Sequence, residues 1–354
     1  MRGFRAGFTN QKGMALLAML ILSGILMLVM TGIFYRHQLD LAQVHRIYTG
    51  EQAALLALSG ESWATRILRD DARNTDVDSL EEDWAQAIPP LPVEGGILTG
   101  CLFDLQSRFN INNLANYTSE RWEQELGNIS SSNIDTYLNI LALQELNSED
   151  SRAAVVIDWM DADSDLIAGG SAEDPEYQAM QPPRLAANQI MVSLDEVAGL
   201  AEYSAAELVK LRPYITALPT VTPININTAP EEVLFALMPF VDDWLIEEVV
   251  LNRPFEDVQS FYEFVAETSS YLSVAEVSNQ LPSALVSTDT DFFGLAAEVS
   301  IGGVRIRLES EIYRTNGGET QVLSRSFETL PTVALDEETA QLMSSPCDVQ
   351  AEAS

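Results

Sequence analysis

The sequence predicts an α+β chain: a long N-terminal helix that starts in a membrane, an antiparallel β-sheet, and a large all-α insertion that splits that sheet. Three observations carry this reading. Met14 to Phe34 is a run of 21 residues without a charge. Stretches of β-branched and aromatic residues punctuated by glycine occur at 96–106 and again at 295–327. Between them, residues 115–285 show the apolar spacing of helices.

As a helix rising about 1.5 Å per residue, the uncharged run spans roughly 32 Å, the hydrocarbon thickness of a bilayer. A cleaved secretory signal has an apolar core of only about 7–15 residues followed by a small-x-small site, whereas this segment runs into Tyr35-Arg36-His37 and is expected to be retained as an anchor. Arg2, Arg5 and Lys12 precede it with no acid among them, which holds the N-terminus in the cytoplasm and sends the bulk of the chain across the membrane. Leu41, Val44, Tyr48, Leu55 and Leu58 fall on one helical face and extend the helix to about Arg69 as a stem. Gly50 and Gly60 weaken it by about 1 kcal/mol each. The only histidines, His37 and His45, lie on this stem and read as solvated helix residues, since no acid and nucleophile accompany them.

With 53 acidic and 19 basic residues, the formal charge is −34. Such a surface repels phosphate backbones and favours cations or basic partners, so nucleic-acid binding is not expected. No Ser/His/Asp or Cys/His arrangement, phosphate loop or zinc spacing is present, which disfavours an enzyme. Cys101 and Cys347 are the only cysteines. On the outer side of an inner membrane they could pair, closing a loop worth on the order of 4–5 kcal/mol, or remain two separate thiols; sequence alone leaves both open.

Residues 70–96 are acidic, contain Pro89-Pro90-Leu91-Pro92 and Gly95-Gly96, and read as a linker. A strand or hairpin follows at 96–106. Helices are expected at Ile134–Ala142, Ala153–Met160 and Asp195–Leu211. Pro223-Ile224-Asn225-Ile226-Asn227-Thr228-Ala229 leads into a helix, a turn, a helix, Arg253-Pro254-Phe255 and a further helix near Ser260–Thr268, an order that resembles the helix-hairpin-helix or SAM-like pattern. Where DNA-binding hairpins aim glycine amides at phosphate, this one reads Pro239-Phe240-Val241-Asp242-Asp243-Trp244, so a packing or docking role is expected instead. Strands at 295–301, 304–313 and 321–327, separated by Gly302-Gly303 and Asn316-Gly317-Gly318, form a three-stranded meander. The tail from Pro331 is polar and acidic apart from Cys347.

One constellation carries chemistry. Asp158, Asp161, Asp163 and Asp165, then Glu173, Asp174 and Glu176, surround Gly169-Gly170. Clustered carboxylates repel unless a cation compensates them, and oxygen donors without His or Cys point to a hard ion, calcium before magnesium. An EF-hand counted from Asp161 fails, with Leu166 where glycine is needed and Ala172 where glutamate is needed. The alternative is a solvated acidic loop in a chain that is acidic throughout.

Gln11-Lys12-Gly13 followed by Met14-Ala15-Leu16-Leu17 resembles the type III signal of type IV pilins and pseudopilins. The resemblance implies cleavage by a prepilin peptidase between Gly13 and Met14 and methylation of the new N-terminus. Pilin-like subunits usually carry Glu at the fifth mature position; here it is Ala18. That departure, the segment Asp104-Leu105-Gln106-Ser107-Arg108-Phe109-Asn110-Ile111-Asn112-Asn113-Leu114 and the helical insertion together resemble the minor pseudopilin K family of type II secretion systems, over Lys12 to about Phe327. The expected layout is a leader at 1–13, a transmembrane helix at 14–35, a stem and first part of a pilin-like domain at 36–113, a SAM-like insertion at 114–288, the remaining strands at 289–330 and an acidic tail at 331–354. The Asp-x-Asp and Ala-Glu-Asp-x-x-Tyr elements resemble that family's calcium loop and imply Asp161, Asp163, Asp165, Glu173 and Asp174 as ligands of a structural calcium. The family further implies a place at the tip of a periplasmic pseudopilus in a Gram-negative cell. Its implied partners are the minor pseudopilins of types I and J, the inner-membrane secretion platform and the peptidase. A membrane-anchored DNA-uptake module is the competing reading.

Overall fold

The computed structural model describes residues 12–86, 89–115, 117–125, 131–331 and 347. Helix α1, Lys12–Asp71, is continuous over 60 residues, in agreement with the expected anchor and stem. It is the one described helix long and apolar enough to cross a membrane. The leader up to Gln11 lies outside the described residues. Of the expected apolar face, Leu58 is half-buried against the core and the rest is exposed. Ala53, Ala57, Ala64 and Leu68 face the sheet and are at most 1% exposed, whereas Leu41, Val44, Tyr48 and Leu55 are in solvent. Alanine wins the buried face because a small side chain lets the helix axis approach the strands closely. At Gly60 even a Cβ would stand 3.4 Å from Leu98.

Strands β1 (Leu91–Val93) and β2 (Gly96–Asp104) follow α1. The helical module then runs from β3 (Phe109–Asn110) through α2 (Ser119–Glu125), α3 (Asn133–Leu143), α4 (Asp150–Met160), α5 (Asp174–Ala179), α6 (Ala205–Leu211), β4 (Ile215–Thr216) and β5 (Ile224–Asn225). It continues with α7 (Glu231–Leu237), α8 (Asp243–Leu251), α9 (Val258–Ser269), α10 (Val274–Gln280) and β6 (Val286–Ser287). Strands β7 (Phe292–Ile301), β8 (Val304–Arg314) and β9 (Thr320–Leu330) return the chain to the sheet.

The sheet has five strands in the order β1-β2-β7-β8-β9, all antiparallel: the expected meander is β7-β8-β9, β2 is the strand expected at 96–106, and β1 is added at its edge. Strand β2 joins β7 in register, Leu102 opposite Leu295, across the whole insertion. The expected linker at 70–96 is a correction as well: it contributes β1 and a Trp84 that is 1% exposed and set edge-on to Phe293 at 5.1 Å. A proline-rich stretch still forms an edge strand, where missing N–H groups cost nothing. Leu102, Leu295, Ala297, Val299, Leu308 and Ile312 form the core under α1. The β7–β8 turn uses Gly302 and Gly303 at φ 55° and 82° and sits against Thr49 of α1. At the other end Arg314 pairs with Asp71 at 2.7 Å. The stem therefore runs from the Gly302 end to the Arg314 end, and the helical module departs from β2 and returns to β7 at the latter end, away from the apolar N-terminal half of α1.

The module repeats itself. Asn110-Ile111-Asn112 and Asn225-Ile226-Asn227 each close a turn in which the first Asn Oδ1 accepts the amide of the second, at 3.1 and 3.0 Å. Asn112 then accepts the Met191 amide (2.9 Å) and donates to the Met191 carbonyl (2.9 Å) and to Leu218. Asn227 accepts the Phe255 amide (2.8 Å) and donates to the Phe255 carbonyl (3.0 Å) and to Thr288. Each amide side chain thus stands in for one peptide of a β-ladder. Each copy closes with a parallel pair, β3 with β4 and β5 with β6. Ser204 and Ser273 cap α6 and α10 through the amides of Glu207 and Glu276. The expected single helix at Asp195–Leu211 is broken: a 3-10 turn, Leu194–Gly199, ends before Glu202 (φ 63°), and α6 starts after its Ser204 cap.

A buried polar junction welds module to sheet. Asp104 accepts from Thr228 (2.6 Å), Thr290 (2.7 Å), the Gln106 amide (2.6 Å) and Asn225 (3.0 Å). Asn225 also donates to the Asp78 carbonyl, and Arg314 pairs with the Asp78 carboxylate at 2.6 Å. Burial lifts the Asp104 carboxyl above its usual range despite these donors, and raises Asp78 to about 7 against the pull of Arg314.

Candidate metal centre

The acidic loop leaves the C-terminus of α4, a helix whose residues Arg152 to Met160 are all buried. Asp158 sits inside that helix, fully buried, and its Oδ1 accepts the Ile167 amide at 3.1 Å, which folds the loop back on the helix. Gly170, at φ 92°, turns the chain toward Glu173, which precedes Asp174 at the start of α5. One carboxylate oxygen each from Asp161, Asp163 and Glu173 lies within 4.8 Å of the others.

Glu173 is 2% exposed, and neither of its carboxylate oxygens has a hydrogen-bond partner among the described residues. Oδ1 of Asp161 is in the same condition. Burying carboxylate oxygens without donors is costly unless the charge is removed or compensated. Burial first, then Asp163 and Asp158, raises Asp161 to about 6. Burial, then Asp158 and Asp161, raises Glu173 to about 7, and burial raises Asp158 to about 6. This donor set of orphaned oxygens fits a hard divalent cation, which would supply the missing charge.

Of the five residues expected as ligands, three converge and two do not. Asp165 is exposed and contributes its amide, which donates to Oδ1 of Asp163 at 2.9 Å. Asp174 turns away, its Oδ1 accepting the Ala186 amide at 3.0 Å and so tying down the following loop. A carboxylate that satisfies a backbone donor is held away from its neighbours' group. A second acidic group, Asp71, Asp78 and Glu82, already has its donors: Arg314 for the aspartates, and Trp84 Nε1 and the Ser79 amide for Glu82. The junction residues Asp104, Asn225 and Thr228 were not marked by the sequence, and the Asn-x-Asn spacing shared by the two copies is the signal that could have found them.

Cys101 and Cys347 form a disulfide, with Cα atoms 5.6 Å apart, which selects pairing over two separate thiols. It packs with Phe103, Leu105, Leu218, Phe292 and Ala296 on the sheet face opposite α1. In the helix-hairpin-helix region, Asp242 caps α8 by accepting the Leu245 amide, an acidic use of the turn where a phosphate site would need bare amides.

The model of the family described as "Type II secretion system (T2SS), protein K" matches residues 107–220. A type II secretion system protein K from Aeromonas hydrophila is 28% identical over 89% of this chain and 97% of its own. The protein so named in Pectobacterium carotovorum subsp. carotovorum is 32% identical over 63% of this chain and 68% of its own. The chain belongs to the type II secretion system protein K family. Protein K members are components of a secretion apparatus, of the minor pseudopilin class. A chain of the solved GspK-GspI-GspJ complex of the enterotoxigenic Escherichia coli Type 2 Secretion System has the protein K fold seen here. Its TM-score is 0.69 at 23% identity, covering 81% of this chain and 99% of that one. The α+β fold with its helical insertion is thus a family property.

Proposed function

We propose that this protein is the subunit at the tip of a periplasmic pseudopilus, where it starts assembly and supports export of folded proteins across the outer membrane. The observation that carries the reading is the position of the helical module. It leaves the sheet at the membrane-distal end, beside Asp71 and Arg314, and is welded there by Asp104, Asn225 and Thr228. A module fixed above the sheet obstructs a further subunit stacking on top, while leaving the exposed stem face of Leu41, Val44, Tyr48 and Leu55 open for neighbours beside and below. Ala18 supports the same place: a buried Glu in the membrane is costly unless paired, and a first subunit has no preceding amine to pair it.

In this reading the leader is cut between Gly13 and Met14, the new terminus is methylated, and the chain stays in the inner membrane with its bulk in the periplasm. The minor pseudopilins of types I and J are its partners, by analogy with the GspI and GspJ chains that accompany GspK in the solved complex, and the inner-membrane platform receives the assembly. Calcium is structural, held by Asp161, Asp163 and Glu173, and no catalytic step is assigned. Full-length chain bearing a single label should mark one end of assembled pseudopili. Label spaced along the filament overturns the tip assignment.

A further inference from the structure

At the Gly302 end of the sheet, two rows of side chains lie on the face opposite α1: Arg305 beside Leu330, and Arg307 beside Glu328, alternating with the core residues Ile306 and Leu308. Arg307 is 6% exposed and Leu330 is 5% exposed. Among the described residues, Leu330 is the one buried apolar side chain that joins no apolar cluster, whether of the helical module or of either face of the sheet. In its own row, on the far side of the sheet, Ile97 is 49% exposed. A leucine at the end of an edge strand reaches such burial only beneath other groups, so its cover is chain that these clusters do not include. Residues 332–346 are at hand for this. They join the end of β9 to Cys347, which the disulfide fixes on this same face with Cys101 and Ala296. From the Leu330 row to Cys101 is four residues along β2 and three strand spacings across, about 20 Å in all. The fifteen residues can span about 50 Å.

We propose that this corner of the sheet is the docking surface for the chain's own residues 332–346, which turn back over Leu330 and Arg307 and cross the face opposite α1 to the disulfide. The inference goes beyond the tip assignment and does not depend on it. Val333 and Leu335 are the first large apolar side chains after Pro331 and, two apart, share one side of an extended chain, which suits them to cover Leu330. Asp336, Glu337 and Glu338 follow, and 332–346 contains no basic residue. On the sheet, Arg305 donates from Nε to Glu298 at 2.9 Å, and Arg307 stands 3.8 Å from the same carboxylate and 4.0 Å from Glu328. Each guanidinium has five N–H donors, so two of them sharing Glu298 keep capacity for the carboxylates of the segment. With both ends held, the segment ties the edge strand β9 to β2 across the two strands between them. This corner is then an internal contact and is closed to a neighbouring subunit.

Photocrosslinking of the full-length chain in detergent, with the disulfide intact and benzoylphenylalanine in place of Leu335, tests this. Irradiation should give adducts within one chain to peptides from 298–309, located by mass spectrometry. Adducts confined to α1, adducts only to a second copy of the chain, or no adduct would each overturn the proposal. A second measurement reads the contact through the disulfide. Val333→Asp combined with Leu335→Asp should speed reduction of the Cys101–Cys347 bond at least tenfold, because Cys347 is then held by the disulfide alone. Trp244→Lys, at an exposed site on the helical module, should leave that rate unchanged. A double variant reduced as slowly as the native chain overturns the proposal, and the tip assignment stands either way.

Discussion

The two copies within the helical module share a clamp and differ in what was added to it. In the second copy, Asn227 reaches Phe255 across two helices and a short turn. In the first, Asn112 reaches Met191 across α2, α3 and α4 and then the acidic loop and α5. The added segment brings the orphaned oxygens of Asp161 and Glu173, and the minimal copy has no counterpart of that group among its described residues. One fold unit is therefore held by neutral amide pairing, and any metal dependence is confined to the insertion in the other. A buried Asn that satisfies a peptide on both sides needs no ion, whereas buried carboxylates without donors need a proton or a cation.

The largest expected effect is on the shared clamp. Asn112→Ala or Asn227→Ala strands a backbone amide and two carbonyls in the core, and with about 1–3 kcal/mol per buried unpaired group each should cost about 4 kcal/mol in a urea melt of the full-length chain. Unequal losses would mean that the copies are alike in geometry only. Next, calcium should stabilise the chain by about 2.7 kcal/mol at a hundredfold excess over Kd. Glu173→Gln should abolish that gain while stabilising the metal-free form, and substitutions in the second copy should leave it intact.

A smaller effect is on pH. In the metal-free chain Asp161 and Glu173 titrate near 6 and 7 instead of 3.8 and 4.5. Because the folded state binds protons that the unfolded state releases, their contribution to stability is full below about pH 4 and is lost as pH rises toward 7. Calcium must displace those protons, so its affinity, measured by isothermal titration, should increase from pH 5.5 to 7.5. Smallest of all, Asp165→Asn should change calcium affinity less than threefold, since its carboxylate stands outside the group; a tenfold loss would restore it as a ligand.

Much of the site was legible because its signal is local. An Asp-x-Asp run beside a glycine turn brings Asp161 and Asp163 together whatever the rest of the chain does. Glu173 needed the loop to fold back onto Asp158, and the exclusion of Asp174 needed the Ala186 amide to arrive from the following loop. The first Asn clamp stayed hidden because its partners, Met191 and Leu218, lie 79 and 106 residues away.

By itself the sequence determined the long apolar N-terminal helix, the alternation of the last three strands about their glycine turns, and the helical character of the middle. Each depends on apolar spacing and turn chemistry within one segment. Only the tertiary structure decided that β2 pairs with β7, that Ala53, Ala57, Ala64 and Leu68 face the sheet, that Cys101 meets Cys347, and that Asp104 is the weld between sheet and module. Those outcomes depend on which distant groups can be desolvated together with every donor and acceptor matched, and spacing along the chain does not encode that.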